Sequence, residues 1–572
     1  MSSPTRVASF AINLPLFTVF DYRLGDGVVA QPGQRFRLPF GSRHKIGVVV
    51  KVRAADSSDT ALKLATECLD QSPVLSADLL ELGQWIADYY CQPVGEAVFQ
   101  LLPRYLRSEA IARAVSLELW RAKQVDETQM QALMRRAPKQ HELLRHVLQH
   151  DAGLSAADLS QFNPNWRSLM RALQKRALVY CEQVDPASLE IRQPQPAPKL
   201  SDEQAAAVTA ISDRGPGFRV ELLDGVTGSG KTEVYLALMQ QALDAGKQAI
   251  YLVPEIGLTP QLLERVRSRL GVAVVTSHSA QTAFQRYQSW DQFRRGSAQV
   301  LLGTRSALFS EAQNLALIVI DEEHDASYRQ QDGLRYHARD VAIRRAQMLD
   351  IPVLLGSATP STETLRNLQR THFHRHCLRH RPGGSKMPNI HCIDCGRVEL
   401  NHGCSPQLLA QVEQHLEQGG QVLLFLNRRG FAPVMMCHDC GWQASCHQCD
   451  ARLTLHQSQH RLICHHCGFN QLPPASCPDC GAKNIRHHGV GTEQLQKFIE
   501  QRFTDVPVIR IDRDSVSDAR QFEHLLQPVR SGQPCIMVGT QMLAKGHDYP
   551  NITLVGILDV DQALFSGFYR SG

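Results

Sequence analysis

The sequence predicts an α/β chain with two parallel-sheet lobes, a cysteine-rich insertion in the second lobe, and two smaller domains in front. Three observations lead to this prediction. Strand and helix patterns alternate from residue 200 to 385 and resume near residue 420. A glycine-rich loop follows the first of these strands. Half of the 16 cysteines fall between Cys437 and Cys480, which indicates metal binding rather than disulfides.

Length, composition and charge indicate a globular protein of several domains and exclude several other classes of protein. The 572 residues predict roughly four domains. A hydrophobic fraction of 43% with 20% charged residues excludes disordered, collagen-like and low-complexity chains. No run approaches the ~18 apolar residues of a membrane span and no secretory signal is visible, so we expect a cytoplasmic protein without a membrane segment. The net charge of +5 permits a nucleic-acid partner, and an ordinary surface explains it equally well.

The chain before the lobes divides into a β-rich region, a helical region and a linker. Residues 1–105 contain short apolar runs separated by Gly and Pro, which predict a small β-rich domain. The sequence of residues 112–182 predicts helices. Within them, segments 153–159 and 166–178 resemble a helix-turn-helix, and a small helical spacer is the alternative. Residues 183–199 are rich in proline and predict an extended linker.

The two lobes follow from apolar strand patterns separated by helical patterns. In lobe 1, residues 200–385, strands are predicted at 218–223, 249–253, 300–303, 317–320 and 353–355. In lobe 2, residues 386–434 and 486–572, they are predicted at 422–426, 508–511, 535–538 and 552–558. The insertion, residues 435–485, interrupts lobe 2. The His- and Arg-rich stretch 370–381 is interpreted as a solvated linker between the lobes, and contact with phosphates is the alternative.

A phosphate-binding loop is the strongest local signal. It fits G-x-x-x-x-G-K-[ST] at every position and consists of Gly225, Val226, Thr227, Gly228, Ser229, Gly230, Lys231 and Thr232. The glycines let the main chain curl around an anion, and a helix N-terminus follows. We expect Lys231 to reach the β- and γ-phosphates of ATP and the Thr232 hydroxyl to bind Mg²⁺. A chance glycine-rich turn is the alternative, and the flanking strand and helix disfavour it.

An acidic strand end supplies the partner motif. Four apolar residues, 317–320, are followed by Asp321 and Glu322. The carboxyl edge of an α/β sheet is where ligands bind, so we expect Asp321 to hold Mg²⁺ through water and Glu322 to orient the attacking water. Alone, such a sequence is nearly as consistent with a solvated loop. Because a phosphate loop precedes it in the same chain, hydrolysis of a nucleoside triphosphate is favoured.

The cysteine cluster has the ligand number for two zinc ions. It contains four C-x-x-C pairs: Cys437 and Cys440, Cys446 and Cys449, Cys464 and Cys467, and Cys477 and Cys480. Eight thiolates suit two tetrahedral Zn²⁺ sites, and four-sulfur sites leave no open position for catalysis. We therefore expect a structural role. Disulfide and iron–sulfur alternatives are disfavoured, and spacing alone leaves the pairing of the cysteines open.

Several motifs together resemble a known family of motor enzymes. Asp321–Glu322–Glu323–His324 resembles the DExH box of superfamily 2 helicases. Segments 252–261, 303–309, 356–361, 422–431 and 538–548 are similar to that superfamily's motif Ia, the next strand-contacting loop, and motifs III, IV and V. Together with the cysteine cluster, the amino-acid sequences of these motifs resemble those of the PriA family of bacterial replication-restart helicases, and the resemblance covers nearly the whole chain.

This resemblance implies a fold and a set of cofactors. The fold would be two RecA-like P-loop lobes with a two-zinc insertion, preceded by the β-rich domain and a winged-helix domain. The cofactors would be ATP, Mg²⁺ and two Zn²⁺, with Gln204 reading the adenine. The zinc pairing would be nested, with Cys437, Cys440, Cys477 and Cys480 on one ion and Cys446, Cys449, Cys464 and Cys467 on the other.

The resemblance also implies DNA contacts. The N-terminal domain would bind the 3′ end of a nascent strand at an arrested fork, through Phe20, Asp21, Gly41 and Lys63. Ordinary core and turn chemistry is the alternative for these four residues. The loop after the DExH box would stack on and grip single-stranded DNA through Tyr328, Arg329 and Tyr336, because aromatic and Arg side chains suit bases and phosphates. A solvated polar loop is the alternative.

The function implied is that of an ATP-dependent 3′-to-5′ DNA helicase, which recognises stalled or collapsed forks and initiates primosome assembly. Its partners would be forked and single-stranded DNA, other primosome proteins, single-stranded-DNA-binding protein and the replicative helicase loader, and we expect a monomer. The chain has no late Q-x-x-G-R-x-G-R motif and stops at Gly572, so we expect an incomplete lobe 2. The alternatives are a truncated, non-unwinding ATP- and zinc-binding scaffold for fork DNA, and an ATPase unrelated to nucleic acid.

Overall fold

A computed structural model of the chain shows two compact units, Met1–Lys386 and Met387–Gly572. The residues it describes are 6–150, 152–191, 193–254, 259–382, 388–395, 398–426, 434–437, 439–449, 453–456, 461–464, 467–483, 485–488, 492–511, 525–540, 549–558 and 560. Among these residues no helix has the length and apolar character needed to cross a bilayer.

The N-terminal region forms a six-stranded sheet with two helices packed beside it. The strands are β1 (Arg6–Ile12), β2 (Phe20–Leu24), β3 (Arg35–Phe40), β4 (Arg43–Ala54), β5 (Leu64–Ala65) and β6 (Glu67–Cys68), in the order β5-β2-β1-β4-β3-β6. The helices are α1 (Ala77–Tyr89) and α2 (Val94–Leu101), which the sequence interpretation missed. A Cβ at Gly95 would lie 1.8 Å from the carbonyl oxygen of Ile12, so this glycine lets α2 approach the sheet closely.

The next region combines four helices with a three-stranded antiparallel sheet. Its elements are β7 (Leu117–Ala122), α3 (Glu127–Arg136), α4 (Pro138–Leu148), β8 (Leu154–Ser155), α5 (Ala156–Phe162), α6 (Trp166–Lys175) and β9 (Val179–Val184), with strand order β8-β7-β9. Ser155 and Asp158 form a capping box at the start of α5. The turn between α5 and α6 is three residues long, as in a helix-turn-helix, and the winged-helix assignment stays a prediction.

Lobe 1 is a seven-stranded, entirely parallel sheet. Its elements are α7 (Asp202–Ser212), β10 (Arg219–Gly225), α8 (Lys231–Asp244), β11 (Gln248–Leu252), α9 (Pro260–Leu270), β12 (Val274–Ser277), α10 (Ala283–Arg294), β13 (Val300–Gly303), β14 (Leu315–Ile320), α11 (Ala338–Leu349), β15 (Pro352–Ser357), α12 (Thr362–Asn367) and β16 (Phe373–Leu378). The strand order is β12-β13-β11-β14-β15-β10-β16. Since β10 and β14 both pair with β15, the loops at their carboxyl ends lie at the same edge of the sheet.

The structure contains two strands of lobe 1 that the sequence interpretation did not predict. Residues 370–381 are not simply a solvated linker, because they contain β16, which pairs with β10 in parallel. This edge strand has only one neighbour and carries two partly buried His residues and an exposed Arg, so it lacks the apolar pattern of the buried strands. The strand β12 was also missed. The part of motif Ia at residues 255–258 lies outside the described residues.

The second unit begins with a helix and a strand, and the cysteine-rich insertion follows. These first elements are α13 (Pro406–Glu417) and β17 (Gln421–Leu426). The insertion is a five-stranded sheet of β18 (Val434–Cys437), β19 (Thr454–His456), β20 (Arg461–Ile463), β21 (Asn470–Gln471) and β22 (Ile485–His488), in the order β21-β20-β19-β18-β22. All of its strand pairs are antiparallel, in contrast to the parallel sheet that it interrupts.

The parallel pattern resumes after the insertion. The elements are α14 (Thr492–Arg502), β23 (Val508–Ile511), α15 (Gln527–Arg530), β24 (Ile536–Gly539) and β25 (Ile552–Leu558), and the sheet order is β23-β24-β17-β25. These strands agree with the sequence interpretation to within one residue at each end. Residues 427–431 of motif IV, residues 541–548 of motif V and the last twelve residues lie outside the described part of the chain.

Candidate nucleotide, metal and DNA sites

The phosphate loop connects β10 to α8 at the carboxyl edge of the lobe 1 sheet. Gly228 and Gly230 have φ values of +80° and +78°, a backbone region that favours glycine, so the loop can curl. Gly230 is the N-cap of α8. Lys231 is 8% exposed, and its Nζ donates a 2.8 Å hydrogen bond to the carbonyl of Gly225. The loop therefore combines a lysine ammonium with the positive end of a helix.

The residues of the loop fit a bound triphosphate. The Ser229 hydroxyl is buried and has no hydrogen-bond partner among the described residues. A Cβ at Gly225 would lie 2.6 Å from that hydroxyl, so glycine keeps the cradle open. Thr232 lies in the first turn of α8, where its hydroxyl would hold Mg²⁺ together with Asp321. An unpaired donor inside a glycine-lined, positively charged cradle is the chemistry that a phosphate needs.

Gln204 connects α7 to the phosphate loop. It is 3% exposed, and its carboxamide bonds to the protein at both ends. Its Nε2 donates to the Ser229 carbonyl at 2.8 Å, and its Oε1 accepts from the Ser201 main-chain N–H at 2.8 Å. A Cβ at Gly230 would lie 2.3 Å from Nε2. Gln204 therefore supports the loop in this structure, and its adenine-reading role stays a prediction.

A group of tyrosines holds Asp321 at the end of β14. The Tyr235 hydroxyl donates to Oδ1 at 3.0 Å, and the Tyr251 hydroxyl donates to Oδ2 at 3.4 Å. The Tyr328 hydroxyl donates to the Asp321 main-chain carbonyl at 2.7 Å. A Cβ at Gly356 would lie 1.5 Å from the Tyr235 oxygen, so this glycine makes room for the contact. The sequence interpretation missed Tyr235 and Tyr251, because their positions on a helix and a strand resemble ordinary core.

Glu322 follows Asp321 in a left-handed backbone conformation with φ of +47°, which is uncommon for a residue with a side chain. Its main-chain N–H donates to Asp321 Oδ1 at 3.0 Å. Its Oε2 lies 3.6 Å from Nδ1 of His324, and that nitrogen is 2.8 Å from the Ser357 hydroxyl. The turn thus places two carboxylates side by side and connects them to the end of β15.

Glu323, which the sequence interpretation did not assign, is fully buried. It forms an ion pair with Arg339 at 3.1 Å. It also accepts hydrogen bonds from the Ser361 main-chain N–H at 2.6 Å and the Thr364 hydroxyl at 2.9 Å. The signal for this role was available, because three consecutive acidic residues cannot all face a ligand. Glu323 connects the DExH box to the segment after β15, so the two motifs are held as one unit.

Burial is the main cause of an altered acidity at Asp321. Burial and the adjacent Glu322 charge raise the pKa of Asp321 to about 6, although the Tyr235 hydrogen bond and the Lys231 charge act in the opposite direction. The folded state therefore binds this proton more tightly than the unfolded chain does. Ionisation of Asp321 therefore destabilises the folded state. The free energy of unfolding falls as the pH rises from the ordinary carboxyl pKa of 3.8 toward about 6.

We expect the Asp321→Asn variant to be more stable and inactive. In metal-free buffer at pH 7 its free energy of unfolding should rise by up to about 2–3 kcal/mol, because the charged form is removed. Denaturant titrations between pH 4 and 8 measure this: wild-type stability should fall as the pH rises toward 6, and the variant should lack that fall. Asp332→Asn, at an exposed position, is the matched control. Equal pH profiles for Asp321→Asn and wild type would contradict the assignment.

The tyrosines of the loop after the DExH box are buried, contrary to the prediction from sequence. Tyr328 and Tyr336 are 1% and 2% exposed, so neither ring offers a face to a base, and the predicted stacking on single-stranded DNA is wrong for this structure. Tyr336 packs edge-to-face on Phe309 with ring centroids 5.2 Å apart. Arg329 is exposed, and the Arg305 guanidinium donates to the carbonyls of Ser327 and Arg329 at 2.9 and 3.3 Å. Polar neighbours in the sequence suggested an exposed loop, whereas the tyrosines point inward.

Phe20 and Asp21 begin β2 in the N-terminal sheet. The Phe20 ring is partly exposed and meets Phe40 edge-to-face, with centroids 5.3 Å apart. The Asp21 carboxylate accepts from the Ser9 hydroxyl at 2.6 Å and from the Arg53 guanidinium at 3.2 Å. Its side chain remains 36% exposed. The Phe20 ring packs with the core side of the sheet, whereas the Asp21 carboxylate lies on the opposite face. An accessible carboxylate there can accept a hydrogen bond from a free hydroxyl.

Gly41 and Lys63 lie near this pair. Gly41 has φ of +59° in the two-residue turn between β3 and β4, directly after Phe40. A Cβ at Gly41 would meet nothing within 4 Å, so the main chain there is open to a ligand. Lys63 is exposed, and its carbonyl accepts from the N–H of Arg23, two residues beyond Asp21. Gly41 therefore lies close to Phe20 through the contact of the Phe40 ring, and Lys63 lies beside β2 through the Arg23 hydrogen bond.

The eight cysteines of the insertion form two groups of four. The first group is Cys437, Cys440, Cys477 and Cys480, and the second is Cys446, Cys449, Cys464 and Cys467. Within each group all sulfur atoms lie within 4.8 Å of one another. Closest sulfur pairs are 3.5–3.7 Å apart, which suits four thiolates around one tetrahedral ion. The donor set therefore fits two zinc ions in the nested arrangement.

Known protein families and relatives match this chain over most of its length. Three family models match the chain: the 3′DNA-binding domain at residues 9–103, the DEAD/DEAH box helicase at 201–368, and the PriA DNA helicase Cys-rich region domain at 446–471. Replication restart protein PriA of Haemophilus influenzae is 40% identical over 578 residues, which cover 99% of this chain and 78% of that protein. The chain belongs to the PriA family of replication restart proteins. The PriA protein of Bacillus subtilis is 33% identical, covering 96% of this chain and 78% of that protein.

Membership of this family establishes the class of activity. The chain is an ATP-dependent DNA helicase of replication restart, and hence a hydrolase. The α/β prediction with helicase lobes and a zinc insertion is confirmed. The predicted alternative of a non-unwinding scaffold is not favoured, and an ATPase unrelated to nucleic acid is wrong, since a DNA-binding domain model matches. The helicase domain implies nucleotide and Mg²⁺ binding, and the two cysteine groups fit zinc.

Proposed function

We propose that the phosphate loop, Asp321 and Glu322 form the ATPase centre that drives DNA unwinding by this chain. One observation carries the proposal: Tyr235, on the helix that begins at the phosphate loop, donates directly to Asp321 Oδ1. Through this contact the acidic strand end lies near the helix that follows the loop. Lys231 is close enough for its positive charge to lower the pKa of Asp321. A phosphate cradle next to two adjacent carboxylates is the arrangement that phosphoryl transfer to water requires.

Each residue of this centre has a distinct role in the proposal. Lys231 leaves the Gly225 carbonyl and binds the β- and γ-phosphates of ATP. Asp321 and Thr232 hold Mg²⁺, which neutralises charge on the phosphates when bound. Glu322 accepts a hydrogen bond from the attacking water and orients it toward the γ-phosphate. The hydrogen bonds from Tyr235 and Tyr251 fix the Asp321 carboxylate, so little reorganisation is needed on binding.

The loop after the DExH box is proposed to connect DNA binding with hydrolysis. Its exposed Arg329 is suited to a DNA phosphate, while its buried Tyr328 donates to the main chain of Asp321. Arg305 from the preceding motif bonds to the main chain of this loop. A strand that displaces Arg329 or Arg305 would therefore move the Tyr328 hydrogen bond. In this proposal the tyrosine transmits a signal to the catalytic carboxylates and does not stack on a base.

The N-terminal domain is proposed to recognise the 3′ end of a nascent strand at a stalled or collapsed fork. Asp21 accepts a hydrogen bond from the terminal 3′-hydroxyl, Phe20 packs on the last nucleoside, and the Gly41 turn and Lys63 contact the sugar and phosphate. We further propose 3′-to-5′ movement, a monomeric state, cytoplasmic location and primosome assembly with the replicative helicase loader, other primosome proteins and single-stranded-DNA-binding protein. These finer assignments follow from the family resemblance.

The ATPase proposal is tested by DNA-stimulated hydrolysis and by unwinding of forked substrates. We expect hydrolysis to increase with single-stranded DNA and the increase to disappear in the Arg329→Ala variant, whose DNA-independent rate stays unchanged. Arg335→Ala, at an exposed position in the same loop, is the matched control. Unwinding of substrates with a 3′ or a 5′ single-stranded tail tests the polarity. If stimulation by DNA persists fully in Arg329→Ala, the proposed role of Arg329 is wrong.

The 3′-end proposal predicts discrimination between DNA ends. The wild-type chain should bind forks with a 3′-hydroxyl roughly tenfold or more tightly than forks with a 3′-phosphate, because a carboxylate attracts a hydroxyl and repels a phosphate. Asp21→Asn should lose this preference. Asp59 still pairs with Arg53 at 2.6 Å in that variant, so the domain should remain folded. Asp26→Asn, on an exposed turn, is the control, and an unchanged preference in Asp21→Asn would refute the assignment.

A further inference from the structure

The segment that follows β16 lies directly beside the phosphate loop. The main-chain N–H of Val226, in the loop's first turn, donates to the carbonyl of Leu378 at 3.0 Å. Because β16 pairs in parallel with β10, both strands end at the same edge of the sheet. Residues 379–382 therefore leave β16 next to the place where the loop begins. The sequence interpretation favoured a solvated linker for this stretch, with unspecified phosphate contacts as the alternative, and named no residue of it as nucleotide-binding.

Glu203 holds this segment in position. Its carboxylate accepts from the main-chain N–H groups of Arg379 and His380 at 2.8 and 3.1 Å and contacts the His380 Nδ1 at 2.7 Å. These contacts, led by the main-chain bond from His380, lower the pKa of Glu203. Glu203 immediately precedes Gln204, whose carboxamide donates to the Ser229 carbonyl. One turn of α7 thus bonds to the phosphate loop and to residues 379–382 together.

Arg381 projects from this segment onto the phosphate loop. A Cβ at Gly228 would lie 3.6 Å from Arg381 Nε and 3.7 Å from its Cδ. A Cβ at Gly230 would lie 3.8 Å from the ring of Pro382. The Arg381 Nε is buried and has no hydrogen-bond partner among the described residues, and none of the ion pairs found there includes Arg381. A guanidinium with an unsatisfied donor therefore lies against the glycine at the top of an anion cradle.

We propose that Arg381 is a nucleotide-binding residue that contacts the polyphosphate of ATP from its position beside Gly228. This inference rests on the proposed role of residues 225–232 in binding ATP. An anion in the cradle would supply the acceptor that Nε lacks. A guanidinium offers five donors in a fixed planar fork, which matches two phosphate oxygens at once. Lys231 and Arg381 would then hold the polyphosphate between two cations, both from lobe 1.

The test compares nucleotides that differ in phosphate number, using binding without turnover. Competition with a fluorescent ADP analogue gives the affinities of ATP, ADP and AMP for wild type, Arg381→Ala, Arg381→Gln and Arg381→Lys. We expect Arg381→Ala and Arg381→Gln to bind ATP and ADP roughly ten- to a hundredfold more weakly, with a much smaller change for AMP. Arg381→Lys should recover part of the loss. Arg379→Ala, exposed on the same segment, should bind like wild type, and thermal melting checks the folding of each variant.

Two outcomes would overturn the proposal. Unchanged ATP and ADP affinity in Arg381→Ala and Arg381→Gln would show that the guanidinium does not touch the nucleotide. An equal loss for AMP, ADP and ATP would place the contact at the base or ribose. The Lys231→Ala variant separates these failures from failure of the ATP site itself. If Lys231→Ala binds ATP as wild type does, the proposed site is wrong, whereas loss of binding there with unchanged Arg381 variants contradicts the inference on Arg381 alone.

Discussion

The Lys231→Ala variant is expected to hydrolyse ATP at least about 10²–10³-fold more slowly than wild type, because it loses a preorganised charge at the phosphates. In the structure the ammonium is buried against the Gly225 carbonyl and has no ion-pair partner among the described residues, so its charge is available to a ligand. Alanine removes that charge and leaves the glycine turns of the loop intact. Steady-state ATPase assays with saturating single-stranded DNA measure the effect.

DNA binding should survive this substitution, because the residues proposed to contact DNA lie on other elements. We expect the affinity of Lys231→Ala for a forked substrate to remain within about twofold of wild type at fixed salt, since phosphate contacts by exposed residues set that affinity. Lys247→Ala is a suitable control, as this lysine is exposed beyond the far end of α8. Normal hydrolysis by Lys231→Ala would remove the basis for the ATPase centre proposed here.

The second large effect is expected at the cysteine insertion. Cys464→Ser should reduce the zinc content from two equivalents to one, because Cys464 is 1% exposed and its sulfur lies 3.5 Å from that of Cys449. A four-thiolate zinc site contributes on the order of 10 kcal/mol to folding. The variant should therefore become sensitive to protease within the insertion while lobe 1 stays resistant. Metal analysis and limited proteolysis measure the two consequences.

Double variants test the pairing itself. Cys446→Ser combined with Cys464→Ser should lose no more zinc than either single variant, because both belong to the same group of four. Cys437→Ser combined with Cys464→Ser should lose both ions. Cys392→Ser, at an exposed cysteine outside the two groups, is the control and should keep both. Two equivalents of zinc retained in Cys464→Ser would refute its assignment as a ligand.

The motifs with strict local geometry were predictable from sequence. A phosphate loop is a continuous segment whose glycines, lysine and threonine act through adjacent main-chain groups, so its residues define it wherever it occurs. The same holds for the C-x-x-C pairs, which are half-sites by themselves. The nested pairing of those half-sites came only from family resemblance, because the distances between Cys437 and Cys480 depend on how the strands between them fold. The polar edge strand β16 escaped prediction for the converse reason, since it lacks a buried pattern.

The sequence did not predict which way the tyrosine side chains point. Tyr328 and Tyr336 lie among polar residues and were predicted to face DNA, yet both are buried, and Tyr328 bonds to the Asp321 main chain. Tyr235 and Tyr251 were indistinguishable from core residues until β11, β14 and α8 came together around Asp321.

The sequence by itself determined that this chain carries a nucleotide loop, an acidic strand end and eight zinc-type thiolates, because each is a local pattern whose chemistry needs only near neighbours. Only the tertiary structure decided which tyrosines hold Asp321, which buried acid joins the DExH box to the segment after β15, and that Arg381 lies against the loop. The physical reason is that these contacts join residues far apart in the chain, and their geometry exists only once the parallel strands have set the shared edge of the sheet.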